Sequence, residues 1–379
     1  MKTKISIIPC SHYEQIDIDK SIEECLKRFG GIEQFVSAGK KVLIKPNILM
    51  EKKPEECVTT HPSIIRSVIK QVKKAGGIPF VGDSPGGAVS GIDKVLNIAG
   101  IKEAVLSEGG EIINFETEGI DKIDTDFNFL PHYYISHIVK EVDVIINLPK
   151  LKTHGLTKYT GAIKNMFGIV PGMHKPNVHR YAPGIRDFSE AIVDIFGRAI
   201  PVLNIMDAVY GMEGNGPSAG IPRFIGYIIA GTDAVAIDAV CSYIIGYKVD
   251  EILTTVIAHK RNLGEMDLNN IDIEGKNLNS LRIPDFIKPE TSLSMILPPK
   301  LLQFIYSKIK IKPAINPSKC VKCLVCVKKC PVSAINFLNN KFIFDYNVCI
   351  ECLCCHELCK EKAIVLKKSL LAKLFLGRR

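Results

Sequence analysis

Eight cysteines near the C-terminus repeat one spacing twice, and this spacing is the strongest chemical signal in the chain. Each half has the pattern C-x2-C-x2-C-x3-C, in which three thiols two residues apart can surround one face of an iron–sulfur cubane. Where one chain holds two such clusters, the fourth cysteine of each half binds the other cluster. The predicted sets are Cys320, Cys323, Cys326 and Cys359 for the first cluster, and Cys349, Cys352, Cys355 and Cys330 for the second.

Two other uses of paired cysteines fit this pattern less well. A dense disulfide framework suits a small secreted domain, whereas the N-terminus of this chain reads as a first strand rather than a signal peptide. Zinc sites also use C-x2-C doublets, but zinc needs neither the third C-x2-C step nor the trailing Cys330-Pro331. We therefore predict two 4Fe-4S clusters. Residues 334–345 alternate apolar and polar types around Asn339-Asn340, which predicts a hairpin between the halves.

The basic charge of the chain is concentrated at its C-terminal end. The 379-residue chain has a formal net charge of +9, and twelve Lys and Arg against four Asp and Glu give residues 313–379 a net charge of +8. Bound clusters would offset part of this surplus, because each oxidised cubane with its four thiolates carries about two negative charges. The basic residues are not interleaved with stacking aromatics, which argues against nucleic-acid binding.

The remaining cysteines and the hydropathy of the chain indicate the cellular compartment in which we expect the protein. Five cysteines outside the two sets are scattered along the chain, which suits buried free thiols in a reducing compartment. No run of 18 uninterrupted apolar residues is present, so we expect a cytoplasmic protein. The tail 367–379 is amphipathic and basic. A terminal helix that docks on the protein or frays in solvent is favoured there over contact with a membrane surface.

The first 290 residues alternate short β-rich runs with segments of helical periodicity. This alternation predicts an α/β domain with a mainly parallel sheet and helices on both faces. We place this domain at 1–290, a connector at 291–312, and a small α+β, ferredoxin-like two-cluster module at 313–379. The length of the chain is sufficient for two or three domains with a large core.

Several local features of the α/β domain lead to specific expectations. Thr60 is predicted to cap the helix that starts at Pro62. Residues 170–186 are rich in Pro, Gly, His and Arg and predict a long functional loop, with His174 and His179 over the cleft. The segment 202–207 reads as a strand whose exit loop contains residues 210–217.

Polar residues follow several of the predicted strands at the point where each strand ends. Ligands of open parallel sheets bind beyond the carboxyl ends of the strands, so these residues are expected around one cleft. Lysines together with amides and glycine-loop N–H groups suit an anionic ligand such as a carboxylate or phosphate. Asp83, Asp207 or Glu213 could hold a divalent cation or move a proton.

The predicted site has a reactive group and a set of surrounding cleft residues. The reactive group is Lys150, Lys152, His154, Lys164 and Asp83, and the surrounding residues are Lys45, Asn47, Ser84, Asn165, Asp207, Glu213 and Asn215. Each also has a purely structural interpretation, since surface lysines are usually solvated and a glycine-rich strand exit is often only a turn. Asp238 lies in an apolar helix, where a buried carboxylate must be paired or protonated. It is either a helix-packing tie or part of the site.

Common nucleotide and nucleophile motifs are absent from the sequence. It contains no G-x-x-x-x-G-K-[ST] phosphate loop and no G-x-G-x-x-G after a predicted strand. A serine-centred nucleophile elbow is absent as well.

The motifs resemble a widespread prokaryotic family known as domain of unknown function 362, often joined to a bacterial-type ferredoxin module. The likeness lies in Lys45-Pro46-Asn47, Gly82-Asp83-Ser84-Pro85-Gly86, residues 148–154, residues 161–168, and Gly231-Thr232-Asp233 followed by Asp238. The family carries no assigned activity, so the resemblance implies iron–sulfur binding and little more. A looser similarity to the α/β half of lactate-racemase-type proteins implies an anionic small-molecule site. The chain departs from the usual pattern at Lys360, where proline commonly follows the last cysteine of a set.

Three functional hypotheses follow from these observations. The leading one is an iron–sulfur redox protein whose two clusters pass single electrons between a redox partner protein or low-potential donor and a site in the α/β domain. In the second, the α/β domain is a scaffold that docks a redox partner without chemistry of its own. In the third, the protein is a non-redox enzyme that acts on a carboxylate or phosphate, with structural clusters.

Overall fold

One sheet of ten strands forms the centre of the α/β domain in the residues described by the computed structural model. Those residues are 2–86, 92–115, 118–172, 174–182, 184–274, 277–290, 311–330, 332–349, 354–357 and 359–368. The strands of the domain are β1 (Thr3–Pro9), β2 (Lys41–Pro46), β3 (Ile78–Gly82), β4 (Glu111–Ile113), β5 (Ile120–Asp124), β6 (His132–Ser136), β7 (Val144–Leu148), β8 (Lys150–His154), β9 (Lys158–Thr160), β10 (Leu203–Glu213), β11 (Ile221–Gly231) and β12 (Ile271–Asp272).

The sheet is mixed but mainly parallel. Its order is β12-β1-β11-β10-β7-β2-β3-β4. Strands β10, β7, β2, β3 and β4 run parallel to one another, and β11 lies antiparallel between β10 and β1. Strand β8 pairs parallel with β10 and antiparallel with β9, while β5 and β6 form a separate antiparallel pair. The parallel part brings the carboxyl ends of its strands to one edge, where the predicted site residues follow.

Helices cover both faces of this sheet. They are α1 (Gln15–Lys27), α2 (Pro62–Lys74), α3 (Ile92–Ile98), α4 (Ile101–Ser107), α5 (Ile138–Glu141), α6 (Ala162–Asn165), α7 (Lys175–Tyr181), α8 (Ile185–Gly197), α9 (Ala234–Ile244) and α10 (Leu253–Lys260). Side chains alternate between the faces of a strand, so Val42 and Ile44 join the core beneath α1 and α2. Leu43 joins the opposite core, with α8 and α9. The predicted α/β class with helices on both faces is confirmed.

The C-terminal module contains two small antiparallel pairs and two short helices among its described residues. Its elements are β13 (Ile311–Ile315), α11 (Val325–Lys328), β14 (Ile335–Leu338), β15 (Lys341–Phe344), α12 (Cys354–Glu357) and β16 (Ile364–Lys368). Strands β14 and β15 form the hairpin predicted between the cysteine halves. Asn339 and Asn340 turn it with φ values of 48° and 61°, as a tight two-residue turn requires.

Parts of the predicted organisation lie outside the described residues. They include nearly all of the connector at 291–312 and most of the tail at 367–379. Within the described ranges, no helix combines the length and apolarity that a membrane span requires. The side chains of Cys10, Cys25, Cys57 and Cys241 are buried, while the side chain of Cys354 is not described.

The cap of α2 is not the one that the sequence suggested. His61 occupies the N-cap position, and its Nδ1 accepts a hydrogen bond from the Ser63 backbone N–H at 3.3 Å. The Thr60 hydroxyl instead accepts from the Asn47 backbone N–H and donates to the Leu148 carbonyl. Thr60 therefore links the exits of β2 and β7. Its hydroxyl satisfies one backbone group at each strand end, while His61 caps the helix.

Two segments predicted as loops contain regular structure. The region 170–186 includes α7, which has a proline in its first turn, where the missing N–H costs no helical hydrogen bond. The predicted exit loop 210–217 begins inside β10, which continues to Glu213. The strand passes an irregularity between Ala208 and Tyr210 and stays paired with β11, so its backbone groups remain satisfied.

Asp238 is a tie between α9 and α6, which settles the alternative that the sequence left open. Its Oδ1 accepts hydrogen bonds from the Ala162 backbone N–H at 2.6 Å and from the Tyr159 hydroxyl at 3.1 Å. Its Oδ2 accepts from the Ile163 backbone N–H at 3.0 Å. The side chain is buried, and burial raises the pKa of Asp238 to about 7. Asp238 thereby fixes the start of the short helix that carries Lys164.

Asp238→Asn should destabilise the protein. The amide would place a donor against one of the two backbone N–H groups, leaving a buried donor unsatisfied at a cost of about 1–3 kcal/mol. Urea denaturation of the anaerobically purified protein, followed by circular dichroism, should show a lower midpoint for this variant. Asp250→Asn is the control, because Asp250 is exposed and its variant should unfold as the wild type does. Coincident midpoints for all three proteins would contradict the role given to Asp238.

Candidate functional site

A cleft lies where β2 and β3 end. It has a volume of about 850 Å³, counting the space open to solvent. The walls come from the β2 and β3 exits, from β8 and β9, from α6 and the turn after it, from α7, and from the C-terminal module. The described polar side chains on these walls are Asn47, Asp83, Ser84, Lys152, Thr160, Lys164, Asn165, Lys175, His179 and Lys329.

Half of the residues predicted for the site line this cleft. They are Asn47, Asp83, Ser84, Lys152, Lys164 and Asn165. The other predicted residues are Lys45, Lys150, His154, Asp207, Glu213 and Asn215, and none of these is a wall residue. The ends of the strands therefore lie at this cleft, but sequence position does not distinguish residues that face the cleft from residues beneath or beyond it.

Lys45 and Asp83 form an ion pair at the floor of the cleft, where Asp83 is a wall residue and Lys45 lies beneath it. Lys45 Nζ lies 2.8 Å from Asp83 Oδ1, with the two side chains 0% and 3% exposed. Asp83 Oδ2 accepts a hydrogen bond from the Ile48 backbone N–H at 2.6 Å, and Oδ1 accepts one from the Ser84 backbone N–H. Burial lowers the pKa of Lys45, and the carboxylate beside it opposes that shift. The pair thus joins the exits of β2 and β3.

Two asparagines extend this network under the floor of the cleft. Asn165 Nδ2 donates to the Asn147 side-chain oxygen at 2.7 Å and to the Lys45 carbonyl at 3.3 Å. Asn147 Nδ2 donates in turn to the Ala162 carbonyl and to the Asn204 side-chain oxygen. The amides connect α6 to three neighbouring strands, so the position of Lys164 on that helix is fixed from below.

Lys150 and Asp207 form a second buried ion pair outside the cleft. Lys150 Nζ lies 2.9 Å from Asp207 Oδ2, and both side chains are 0% exposed. The Tyr13 hydroxyl and the His61 backbone N–H also donate to Asp207. The His61 ring stacks on Tyr13 at 3.7 Å between centroids, and burial lowers the pKa of His61 to about 4. This group ties the α2 N-terminus to β8 and β10.

These pairings bear on the divalent-cation hypothesis. Asp83 and Asp207 are each engaged by a buried lysine. In the described part of the chain, no group of three or more His, Cys, Asp or Glu side chains could hold one metal ion. The geometry therefore gives no support to a divalent cation at these carboxylates.

Glu213, Asn215 and His154 lie away from the cleft for identifiable reasons. Glu213 is six residues beyond Asp207 on β10, which is about 20 Å along an extended strand. Its Oε2 accepts from the Ile287 backbone N–H, while Asn215 Oδ1 accepts from a backbone N–H in the same segment. His154 Nδ1 accepts from the backbone N–H groups of residues 156 and 157, so the ring caps the turn between β8 and β9.

The cleft walls carry an excess of positive charge. Among the described wall residues there are four lysines and one carboxylate, Asp83, which is itself paired with Lys45. Lys152 Nζ donates to the Asn47 side-chain oxygen at 2.6 Å and to the Val58 carbonyl at 2.8 Å. An anion is the ligand that such walls favour.

Two further lysines of the walls were not predicted. Lys175 Nζ donates to the Ser84 carbonyl, and both Lys164 and Lys175 lie about 6 Å from the Phe167 ring. Lys175 falls in the segment predicted as a functional loop, together with His179, so composition gave a partial signal. Lys329 comes from the C-terminal module, and no local pattern indicated that it would reach this cleft.

The cysteine loop of the first half is shaped to surround a cluster. Lys322 and Leu324 have φ values of 55° and 59°, and these left-handed turns curl the backbone between Cys320 and Cys326. Cys330 Sγ accepts a hydrogen bond from the Ala334 backbone N–H at 3.2 Å. Amide-to-sulfur bonds of this kind are among the means by which proteins tune such clusters.

Cys359 lies with the first cysteine set although it follows the second in sequence. Burial raises the pKa of Cys326 to about 11, and the neighbouring thiols of Cys323, Cys320 and Cys359 contribute to that shift. The proximity agrees with the interleaved ligand sets. Cys352 is outside the described residues. The four thiols predicted for the first cluster fit a 4Fe-4S group, in which each iron takes one thiolate.

The module and the α/β domain meet at the cleft. Lys360 Nζ forms an ion pair with Glu51 Oε2, which is also 3.2 Å from Lys94 Nζ. Glu51 is buried, with its side chain 4% exposed. On the other side of the contact, Lys329 is one of the wall residues of the cleft. Both lysines of the module directly precede or follow a predicted cluster ligand.

Comparison with known proteins now identifies the family. Residues 42–243 match the model of a domain of unknown function, DUF362. The chain belongs to the DUF362 family. A thylakoid-associated protein of Synechocystis sp. is 34% identical over 267 residues, which cover 70% of this chain and 80% of that protein. Residues 313–336 match a 4Fe-4S binding domain, so this DUF362 member is an iron–sulfur protein, as the cysteine spacing predicted.

One solved structure shows a partial likeness. The lactate racemase apoprotein from Thermoanaerobacterium thermosaccharolyticum aligns with a TM-score of 0.41 and 11% sequence identity. The alignment covers 64% of this DUF362 chain and 57% of the racemase chain.

Gly168→Ala should disturb the floor of the cleft. A Cβ at this position would overlap Asp83 Oδ1 and lie 2.5 Å from Lys45 Nζ, both held in a buried ion pair that has no room to retreat. Overpacking of this kind typically costs about 1–3 kcal/mol, so the melting temperature should fall. Gly197→Ala is the matched control, since its Cβ would meet a side chain at an ordinary 3.7 Å. Equal melting temperatures for the two variants would contradict this reading of Gly168.

Cysteine variants should reveal the interleaved ligation. We expect Cys326→Ser and Cys359→Ser to remove the same cluster signal in electron paramagnetic resonance of the reduced protein, and Cys355→Ser to remove the other. Each should lower the iron content by about half, because each cluster holds four irons. Cys57→Ser, at a buried thiol of the α/β domain, is the control and should retain both signals. Loss of the same signal from Cys359→Ser and Cys355→Ser would refute the interleaved sets.

Proposed function

We propose that this protein is a redox protein in which two 4Fe-4S clusters pass single electrons to or from an anionic ligand in the lysine-lined cleft. The clusters, when bound, supply one-electron transfer. The residues of the chain bind the ligand, exclude solvent from the floor of the cleft and hold the module beside it. The activity that best fits the cleft and the clusters is that of a reductase, or another oxidoreductase, with a small carboxylate or phosphate as its substrate.

The contact of the module with the cleft is the observation that carries this proposal. Lys329 lines the cleft and is directly bonded to Cys330, a predicted ligand of the second cluster. Consecutive Cα atoms are about 3.8 Å apart, so a cluster held by Cys330 would lie close behind that wall. Short separation favours electron transfer between the cluster and a bound ligand. A free electron carrier would need no such arrangement.

The charge of the cleft supports an anionic ligand. Three lysines of the α/β domain line the cleft: Lys152 on β8, Lys164 on α6 and Lys175 on α7. Among the described wall residues Asp83 is the one carboxylate, and it is already paired with Lys45. A carboxylate or phosphate could accept hydrogen bonds from these ammonium groups while it approached the module.

The external partner is proposed to be a low-potential electron donor or a redox partner protein in the cytoplasm. No feature of the described residues favours a scaffold without chemistry, or a non-redox enzyme with structural clusters, over this proposal. Both are outcomes of the experiment below. Mass spectrometry of small molecules released from the purified protein would identify the ligand itself.

An anaerobic redox titration tests the proposal. Reconstituted protein should contain about eight irons and eight sulfides per chain, and the clusters should reduce reversibly at low potential. Inorganic phosphate in the cleft should shift the cluster potential to more negative values, because a nearby anion disfavours the added electron. Lys164→Ala should abolish the shift, and Lys341→Ala, at an exposed residue of the hairpin, should retain it.

The other outcomes separate the alternatives. Clusters that cannot be reduced would remove the electron-transfer role and leave a non-redox enzyme. Clusters that reduce normally without any response to phosphate, sulfate or a released ligand would favour the scaffold.

A further inference from the structure

Two lysines next to predicted cluster ligands reach the α/β domain from the C-terminal module. Lys329 directly precedes Cys330, and Lys360 directly follows Cys359. Lys329 lies on the wall of the anion cleft, and Lys360 forms an ion pair with Glu51. The two cysteines occupy equivalent places, each as the fourth of its half. Each half of the module therefore contacts the domain beside its fourth cysteine, the first half through the residue before it and the second half through the residue after it.

The second half departs from the first at this position. Proline follows Cys330, but Lys360 follows Cys359. Proline there would provide no charged group, whereas Lys360 meets a carboxylate in the other domain. The departure that the sequence showed only as an irregularity thus coincides with the contact between module and domain.

Burial of the Glu51 carboxylate would be strongly unfavourable if it had no cationic partner. It follows β2 on the segment that also provides Asn47 and Ile48 to the cleft, and its side chain is 4% exposed. Its Oε2 meets Lys360 and Lys94, while its Oε1 is buried without a hydrogen-bond partner among the described residues. A buried carboxylate that loses a cationic partner is strongly destabilised. The contact with Lys360 should therefore hold the module against the domain.

We propose that the anion site is composite: Lys329 of the cluster module completes it, and the Glu51–Lys360 ion pair is the latch that positions Lys329. This inference rests on the anion cleft of the proposed function and adds the source of its closing residue. The ligand is a small carboxylate or phosphate held between Lys164 and Lys175 on one side and Lys329 on the other. Lys329 is a binding residue, and Glu51 and Lys360 are positioning residues.

A composite site couples ligand affinity to the position of the module. An ammonium within a few ångströms of a bound anion contributes an interaction large enough to change affinity by about tenfold or more when it is removed. Loss of the latch would act indirectly, because it would let Lys329 move away from the ligand. Its effect should therefore vanish in a protein that already lacks Lys329. That non-additivity distinguishes positioning from a second, independent contact.

The proposal is tested by calorimetric titration of the cluster-loaded, full-length protein. The ligands are inorganic phosphate, sulfate and oxalate, each added under anaerobic conditions and at low salt. Lys329→Ala should weaken binding of the best of the three anions by about tenfold. Lys328→Ala is the matched control: it removes the same charge from an exposed neighbour and should bind within about twofold of the wild type. Lys329→Gln, which keeps the length but not the charge, should resemble Lys329→Ala.

The latch is tested in the same titration. Lys360→Gln and Glu51→Gln should each weaken binding several-fold in the wild-type background and have no further effect with Lys329→Ala. Lys341→Gln and Glu55→Gln, at exposed positions of the same two domains, should have no effect. Iron content, measured on every variant, confirms that the module is loaded and folded.

Several results would overturn the inference. Unchanged affinity in Lys329→Ala, equal losses in Lys329→Ala and Lys328→Ala, or no saturable binding of any of the three anions by the wild type would each do so. The proposed electron transfer is judged separately by the redox titration. Reducible clusters whose potential responds to phosphate, together with normal phosphate binding by Lys329→Ala, would reject the composite site and keep the redox function.

Discussion

The buried ion pair between Lys45 and Asp83 is the constraint on which the cleft depends. Removing a lysine and an aspartate from water costs several kcal/mol for each charge, and only close pairing with further hydrogen bonds offsets that cost. Here the Lys45 ammonium meets the carboxylate, and backbone N–H groups from two loops complete the carboxylate's hydrogen bonds. If the exits of β2 and β3 separated, the ion pair would break and each buried charge would lose its partner. Gly168 packs against the same pair, so the turn after α6 must approach closely as well.

The same logic explains why so many charged residues of this chain do not face solvent. Lys150 and Asp207 repeat the arrangement between β8 and β10, and Asp238 anchors α6 through backbone N–H groups. These groups form a polar layer beneath the strand ends. Above that layer, Lys152, Lys164 and Lys175 present their charge to the cleft. The polar layer holds the strand ends together, and the lysines above it are the residues that we propose bind an anion.

The cluster module adds a third component at the open side of the cleft. Its contact with the domain includes the ion pair between Lys360 and the buried Glu51. Because Lys329 and Lys360 adjoin predicted cluster ligands, the positions of these lysines would constrain where a cluster lies. Ligand binding, docking and electron transfer would then depend on one small group of charges.

The sequence by itself determined the iron–sulfur chemistry and the α/β class, because both are encoded in local spacing. Cysteine intervals fix which thiols can surround a cubane, and hydrophobic periodicity fixes strands and helices. Strand exits also indicated the cleft through Asn47, Asp83 and Lys164. Only the tertiary structure decided which charges point into it. Lys150 and Asp207 pair with each other, β10 carries Glu213 away, and Lys329 arrives from a distant segment. Sequence patterns record the periodicity of each element, whereas side-chain partners depend on how distant elements pack against one another.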